Sequence, residues 1–451
     1  MTTGADGPKP ALSLFDTVAI VVGIVIGAGI FRLPSLVAAN LVDEGAIVAS
    51  WVAGGAISLI GALCFAELAT AFPSAGGEYH FLTRAYGRAC GFMFGWARMT
   101  VVQTGSIAML AFVYGDYAVQ LLPLGRHGAA LHAALAVAGL TALNIAGLRQ
   151  AKTVQNVLAA ATVLGLAAVI AAGIAVEASA VTAALAAPAA VKPVGPAAIG
   201  LAMVFVLLTY GGWNETAYVS AEVKDGSRNI VRALVLGLTL ITGIYVAVNI
   251  VYVEALGAAA VAGSQAVAYD LMAAAVGPAG AIFVTILVMI VVLASINVTV
   301  ITGARTNFAL GRDFPLFGFL AHWSGARDTP VRALLLQGAI ALALVAVGTL
   351  DRSGVETAID YMAPVFWLFF TLIGLSLFVL RRRAPHAERP FRVPLYPITP
   401  AIFCLASAGL LWSSLRYTGI GALAGIGVLA LGLPFLFVAL GRAPAGEKGA
   451  A

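Results

Sequence analysis

The sequence predicts an all-α membrane protein of twelve transmembrane helices, on three observations. Of 451 residues, 61% are hydrophobic and only 10% charged, against about 45–50% and about 25% in a soluble domain. The apolar residues come in runs such as Leu158 to Val176 and Ala281 to Ile296, close to the ~20 residues that cross a ~30 Å hydrocarbon core. Basic residues, finally, segregate to one side of those runs. A water-soluble enzyme is excluded by the shortage of charge. An outer-membrane barrel is excluded because period-two alternation over ~10-residue strands is absent.

The twelve spans fall near 14–39, 46–71, 91–120, 129–146, 154–176, 197–222, 232–256, 277–305, 331–350, 357–380, 398–416 and 419–440. With both termini cytoplasmic, 19 of the 25 lysines and arginines lie in cytoplasmic segments. Only Arg126, Lys192, Arg352 and Arg416 lie outside, and Arg32 and Arg98 lie within spans. This is the positive-inside asymmetry, and dropping one span would scramble it. The net charge of +5 is then a basic inner rim, and no nucleic-acid partner is expected. Arg381-Arg382-Arg383 reads as topology, with contact to anionic lipid as the alternative. The start, MTTGADGPKPALSL, has neither a charged n-region nor a small-residue cleavage site, so the first run is expected to stay in the mature chain. Cys64, Cys90 and Cys404 sit in or beside apolar runs, and no histidine stands at metal-ligand spacing. No disulfide framework, metal or cofactor is expected.

Two spans are interrupted by glycine. Span 1 reads Gly23-Ile-Val-Ile-Gly27-Ala28-Gly29-Ile30-Phe31, and span 6 reads Thr209-Tyr210-Gly211-Gly212-Trp213-Asn214. At ~1.5 Å per residue both breaks lie roughly 20 Å in, slightly past the midplane. They are five spans apart and entered from opposite sides, the pattern of two inverted five-helix repeats. An unwound stretch in lipid leaves backbone N–H and C=O groups to be satisfied by a cavity or ligand. The half-helix starting near Ile30 offers N–H groups and a positive dipole end to a carboxylate. Carbonyls freed near Leu207 to Tyr210 suit an ammonium, so the pair suggests a site for an α-amino acid zwitterion. The plainer alternative makes Gly23-x-x-x-Gly27 and Gly91-x-x-x-Gly95 close-packing faces. GAGIFR lacks the third glycine and βαβ context of a nucleotide fingerprint, and no Walker A sequence occurs.

At these residues the chain resembles the amino acid–polyamine–organocation superfamily of secondary transporters. It is similar above all to the permeases that include light subunits of heteromeric amino acid transporters. The resemblance is carried by GAGIF-x-x-P (27–34), FAELATAFPSAGGEY (65–79), YGGWNE (210–215) and AEVKDGSRNI-x-RA (221–233). SINVTVITGAR (295–305), GRD (311–313) and RPFRVPLYP (389–397) complete it. It implies one transmembrane transporter domain over 1–451. Residues 11–380 form the inverted five-plus-five core, and 381–451 a cytoplasmic loop, two further helices and a short tail. It also implies that Gly27, Ala28, Gly29 and Ile30 hold the substrate carboxylate through their amides. Leu207, Leu208 and Tyr210 hold the amine opposite, and Asn214 steadies the unwound part of span 6.

Three positions depart from the family. Its GSG is here Gly27-Ala28-Gly29, its aromatic gate is Leu208, and Thr162 replaces a span-5 lysine that stands in for sodium in many relatives. A lysine-based coupling mechanism is therefore not expected. Glu215, beside the break, is either a proton or cation site or part of a structural network. Ser295, Thr299 and Thr302 are candidate sodium ligands with Thr162, although hydroxyls in membrane helices ordinarily bond their own i−4 carbonyl. Glu67 and Arg98 are expected to pair with each other or to snorkel. Asn214 is placed in the functional network and Trp213 as filling against span 1.

The expected function is alternating-access transport of amino acids, neutral ones first, across the cytoplasmic (plasma or inner) membrane by permease or antiport. A cationic amino acid or polyamine becomes the better substrate if Glu215 faces the site. A non-transporting nutrient sensor is the second class, and an enzyme is not expected. Coupling to protons or sodium stays open. No predicted outside loop carries a cysteine to staple a companion, so no obligate partner subunit is expected.

Overall fold

The computed structural model describes residues 13–41, 43–73, 77–147, 161–162, 164–172, 195–215, 223, 225–325, 327, 329–350, 354–417 and 419–441. Among these, eight segments are helical, long and apolar enough to cross a membrane. The chain opens with α1 (Leu14–Val25), α2 (Gly29–Leu41) and α3 (Glu44–Ala71). There follow α4 (Gly77–Tyr86), α5 (Arg88–Ala97), a π-helical turn at Arg98–Val102, α6 (Gln103–Leu121) and α7 (Gly128–Ala146). Most of predicted span 5 lies outside the described residues. The next helix is α8 (Pro196–Thr209), followed by a 3-10 turn at Trp213–Glu215 and α9 (Gly226–Leu256). Two short helices, α10 (Ala258–Gly263) and α11 (Val267–Val276), lead to α12 (Pro278–Asp313). The chain ends with α13 (Val331–Gly348), α14 (Gly354–Arg383), α15 (Ile398–Tyr417), α16 (Gly419–Ala430) and α17 (Gly432–Gly441).

Local chemistry sets several boundaries. Asp43 caps α3, its Oδ1 accepting Ala46 N–H at 2.7 Å, with Glu44 in the first turn where the dipole favours an acid. Pro196 and Pro278 open α8 and α12, where a missing N–H costs nothing. Leucine and phenylalanine side chains stay exposed on α9, α12, α13 and α15, as lipid-facing surfaces require. Of the two candidate packing faces, Gly91 and Gly95 are truly crowded. An added Cβ would meet Thr83 Oγ1 at 2.1 Å and Leu310 Cδ1 at 2.8 Å. Gly23 has open space instead.

One end of the bundle is tied by a buried carboxylate. Glu67, near the end of α3, accepts two hydrogen bonds from Arg381 at 2.7 and 2.6 Å and one from Val393 N–H at 2.7 Å, with Arg389 Nε 3.4 Å away. The expected Glu67–Arg98 pair is therefore not made. Glu67 stands near the end of α3, where the basic end of α14 reaches it, and Arg98 is drawn to Glu78 and Glu215. Removing one partner of a buried ion pair costs about 3–5 kcal/mol. Glu67→Ala is expected to lower the thermal unfolding midpoint of the detergent-solubilised protein sharply, while Arg382→Ala, at an exposed neighbour, leaves it unchanged.

Candidate substrate site at two broken helices

The chain unwinds between α1 and α2 at Ile26–Ala28, and again after α8 at Tyr210–Gly212. The breaks meet. A Cβ at Gly29 would sit 3.1 Å from Thr209 Cα, and one at Gly27 would sit 2.9 Å from Ser295 Oγ. Gly212 has φ +110°, open in practice only to glycine. Its N–H donates to Asn214 Oδ1 at 3.3 Å, so the amide side chain takes over part of the lost helical pairing.

The freed carbonyl ends converge as well. Tyr245, fully buried on α9, directs its hydroxyl to Val25 O at 2.8 Å and Thr209 O at 3.3 Å. These are the last residues of α1 and α8. The first N–H groups of α2 point the opposite way, as at any helix start. Two aromatic groups brace the unwound strand. Tyr210 donates to Trp51 O at 2.9 Å and lies edge-on to Tyr245. Trp213 sits among Phe65, Phe370 and Phe403, and the turn that carries it lies against α1.

Between the breaks lies a cavity of about 190 Å³, below the ~300–1,000 Å³ of drug-sized pockets and suited to a small metabolite. Gly27, Ala28 and Gly29 line it from one break, with Leu208, Thr209, Gly211, Gly212, Asn214 and Glu215 from the other. Ser295 and Thr299 line it from α12. Met109, Leu110, Met362, Phe366 and Phe370 supply an apolar wall. Ile30 is fully buried outside the lining, Leu207 faces a smaller apolar cavity, and Tyr210 turns its ring to Trp51. Thr162 is helical and buried but does not reach the cavity.

A charged cluster closes one end. Arg98, held by the π-helical turn, donates to Glu78 Oε2 at 3.0 Å, Glu215 Oε1 at 3.0 Å and Gln103 Oε1 at 2.9 Å. Asn214 Nδ2 donates to Glu78 Oε1 at 3.0 Å, and Gln103 Nε2 to Thr299 O at 2.9 Å and Thr302 Oγ1 at 3.0 Å. The cluster thus links the span-6 break to α6 and α12. Glu215 Oε2 is buried without a hydrogen-bond partner among the described residues. The hydroxyls of Thr299, Thr302 and Ser295 donate to their own i−4 carbonyls at 2.8, 3.1 and 3.2 Å, the ordinary use of such groups.

Sequence reasoning missed Tyr245, Glu78 and Gln103. Glu78 stands within the quoted FAELATAFPSAGGEY motif, and Gln103 is a lone amide in an apolar run. Tyr245 gave no signal, because an aromatic residue in a membrane helix reads as packing.

A sequence profile described as amino acid permease matches residues 12–438. The human b(0,+)-type amino acid transporter 1 is 30% identical over 403 residues, 88% of this chain and 81% of that protein. The mouse large neutral amino acids transporter small subunit 2 is 31% identical over 441 residues, 95% of this chain and 81% of its own. The second name corrects one expectation. A relative called a small subunit belongs to a larger assembly, so the expectation of no obligate partner subunit is overturned. That expectation rested on the lack of a cysteine in the predicted outside loops, and noncovalent association needs none. The chain belongs to the amino acid permease family and is a membrane transporter of amino acids, not an enzyme.

Proposed function

We propose that the cavity between the two breaks holds an amino acid as its zwitterion. The meeting of a helix start with two freed helix ends carries this reading: the N–H groups of Ala28 and Gly29 take the carboxylate, and the carbonyls of Val25 and Thr209 share the ammonium with Tyr245. The apolar wall favours a neutral side chain, as does the pairing of Glu215 with Arg98. Relatives named for neutral amino acids agree with it.

In the same reading twelve spans, in two inverted repeats of five plus two more, bring both termini and the Arg381–Arg383 end to the cytoplasm. The cavity's polar lining at Glu78, Arg98, Glu215 and Thr302 lies toward that end, while on the other side Leu33 lines the cavity and Ile30 and Phe31 are fully buried. Transport then proceeds by rocking α1, α2 and α8 against the remaining helices. A second reading has one observation in its favour. The unpartnered Glu215 Oε2 at the cavity would accept the side-chain cation of a basic amino acid, which suits the b(0,+)-type relatives.

Uptake into proteoliposomes tests the first reading. Unlabelled amino acid is expected to compete with labelled leucine, while its methyl ester and its N-acetyl derivative fail, because each lacks one of the two charges. Equal competition by either derivative contradicts the zwitterion site. Gly29→Ala forces a Cβ onto Thr209 and is expected to lower leucine transport about tenfold or more, as displacements of ~1 Å at a site commonly do, with the folded fraction unchanged on gel filtration. Glu215→Gln separates the two readings. Unchanged leucine and lysine uptake at every pH removes both the proton and the cation role, whereas selective loss of lysine uptake establishes the second reading.

A further inference from the structure

Arg32 is a buried charge that substrate binding does not use. It lies in the first turn of α2 and is only 1% exposed. A cation there opposes the helix dipole, which favours negative charge at an N-terminus, so it does not serve α2 itself. The guanidinium reaches across to the segment joining α10 and α11, donating to Gln265 Oε1 at 2.6 Å and Ser264 O at 3.2 Å. It also bonds Ser35 on its own helix. Its nearest carboxylate is Asp116 Oδ2, near the end of α6, 3.8 Å from Nε. Beside Asp116, Tyr117 donates its hydroxyl to Phe31 O at 2.9 Å. Polar contacts therefore fasten α2 to α6 and to the loop helices on the sealed side of the cavity.

A buried guanidinium stabilises little in net terms, because desolvation offsets its attraction, yet removing one partner strands the others in apolar surroundings. The balance changes when water reaches the group, since water can replace every bond it makes. A contact of this kind is poised between two hydration states. That suits a closure that must form and open in each cycle.

We propose that Arg32 is the outer latch of the transport cycle, clasping α2 to Gln265, Ser264 and Asp116 while the cavity faces the cytoplasm, and releasing when the cavity opens outward. The inference rests on the alternating access and sidedness proposed above. It makes Arg32 a positioning residue, acting on α2 and not on substrate.

The test uses the full chain with Cys64, Cys90 and Cys404 replaced by alanine and Ser106→Cys as a reporter in the cavity. The protein is reconstituted in one orientation, and a membrane-impermeant thiol reagent is applied from either side. The parent is expected to react readily from the cytoplasmic side and slowly from outside. Arg32→Met is expected to raise the outside rate at least about fivefold, the factor that one ordinary hydrogen bond makes in a two-state balance. Gln265→Ala, which removes an acceptor from an exposed residue, should raise it in the same direction with unchanged thermal stability, and it decides the matter alone if Arg32→Met does not fold. Normal parent sidedness with unaltered outside rates in the folded variants overturns the latch. A parent that reacts equally from both sides contradicts the proposed sidedness and the latch together.

Discussion

Every backbone N–H and C=O in a hydrocarbon layer needs a partner inside the protein, and an interrupted helix withdraws several at once. The breaks after α1 and α8 meet this constraint by converging on each other. Thr209 lies against Gly29, Tyr245 reaches the carbonyl ends of both helices, and Asn214 captures Gly212 N–H. What stays open is the start of α2, along with the unused lone pairs of two carbonyls. The same demand that makes a break costly in lipid thus leaves a site with a positive and a negative rim.

The polar cluster around Arg98 extends this arrangement outward from the site. One guanidinium joins Glu78, Glu215 and Gln103, and through Gln103 reaches α12. The unwound strand of span 6 is therefore connected to two other helices by side-chain bonds, while Trp213 and its aromatic neighbours hold its other face. Glu67 with Arg381 secures one end of the bundle and Arg32 with Gln265 binds the other. The cavity is consequently bordered by two buried arginines, Arg98 beside the span-6 break and Arg32 beyond the start of α2.

Much of this was legible in the chain, and particular residues show why. Composition and run length announce helices in lipid, and the eight long apolar segments follow from them directly. Glycine clusters at 27–29 and 211–212 mark breaks because a helix interior rarely tolerates them together, and both helices do end there. Which of the neighbouring side chains meet was not legible. Tyr210 and Leu207 turn away from the cavity although they adjoin the break, since orientation depends on the angle at which an unwound strand leaves the helix. The partners of Glu67 and Arg98 were misassigned because each is fixed by residues distant in sequence, at 381 and 389 for the first and at 78 and 215 for the second. Sequence spacing says nothing of such meetings. Arg32 drew no notice as more than a charge within a span, yet its three-dimensional surroundings make it the most enclosed cation of the described residues.

The most direct measurement is an experimental structure of the protein in nanodiscs with a saturating neutral amino acid. Density is expected between the breaks, with a carboxylate against the N–H groups of Ala28 and Gly29 and an ammonium beside the carbonyls of Val25 and Thr209. Density for the amino acid elsewhere, or in the cavity with its carboxylate on Arg98 instead, would contradict the zwitterion site.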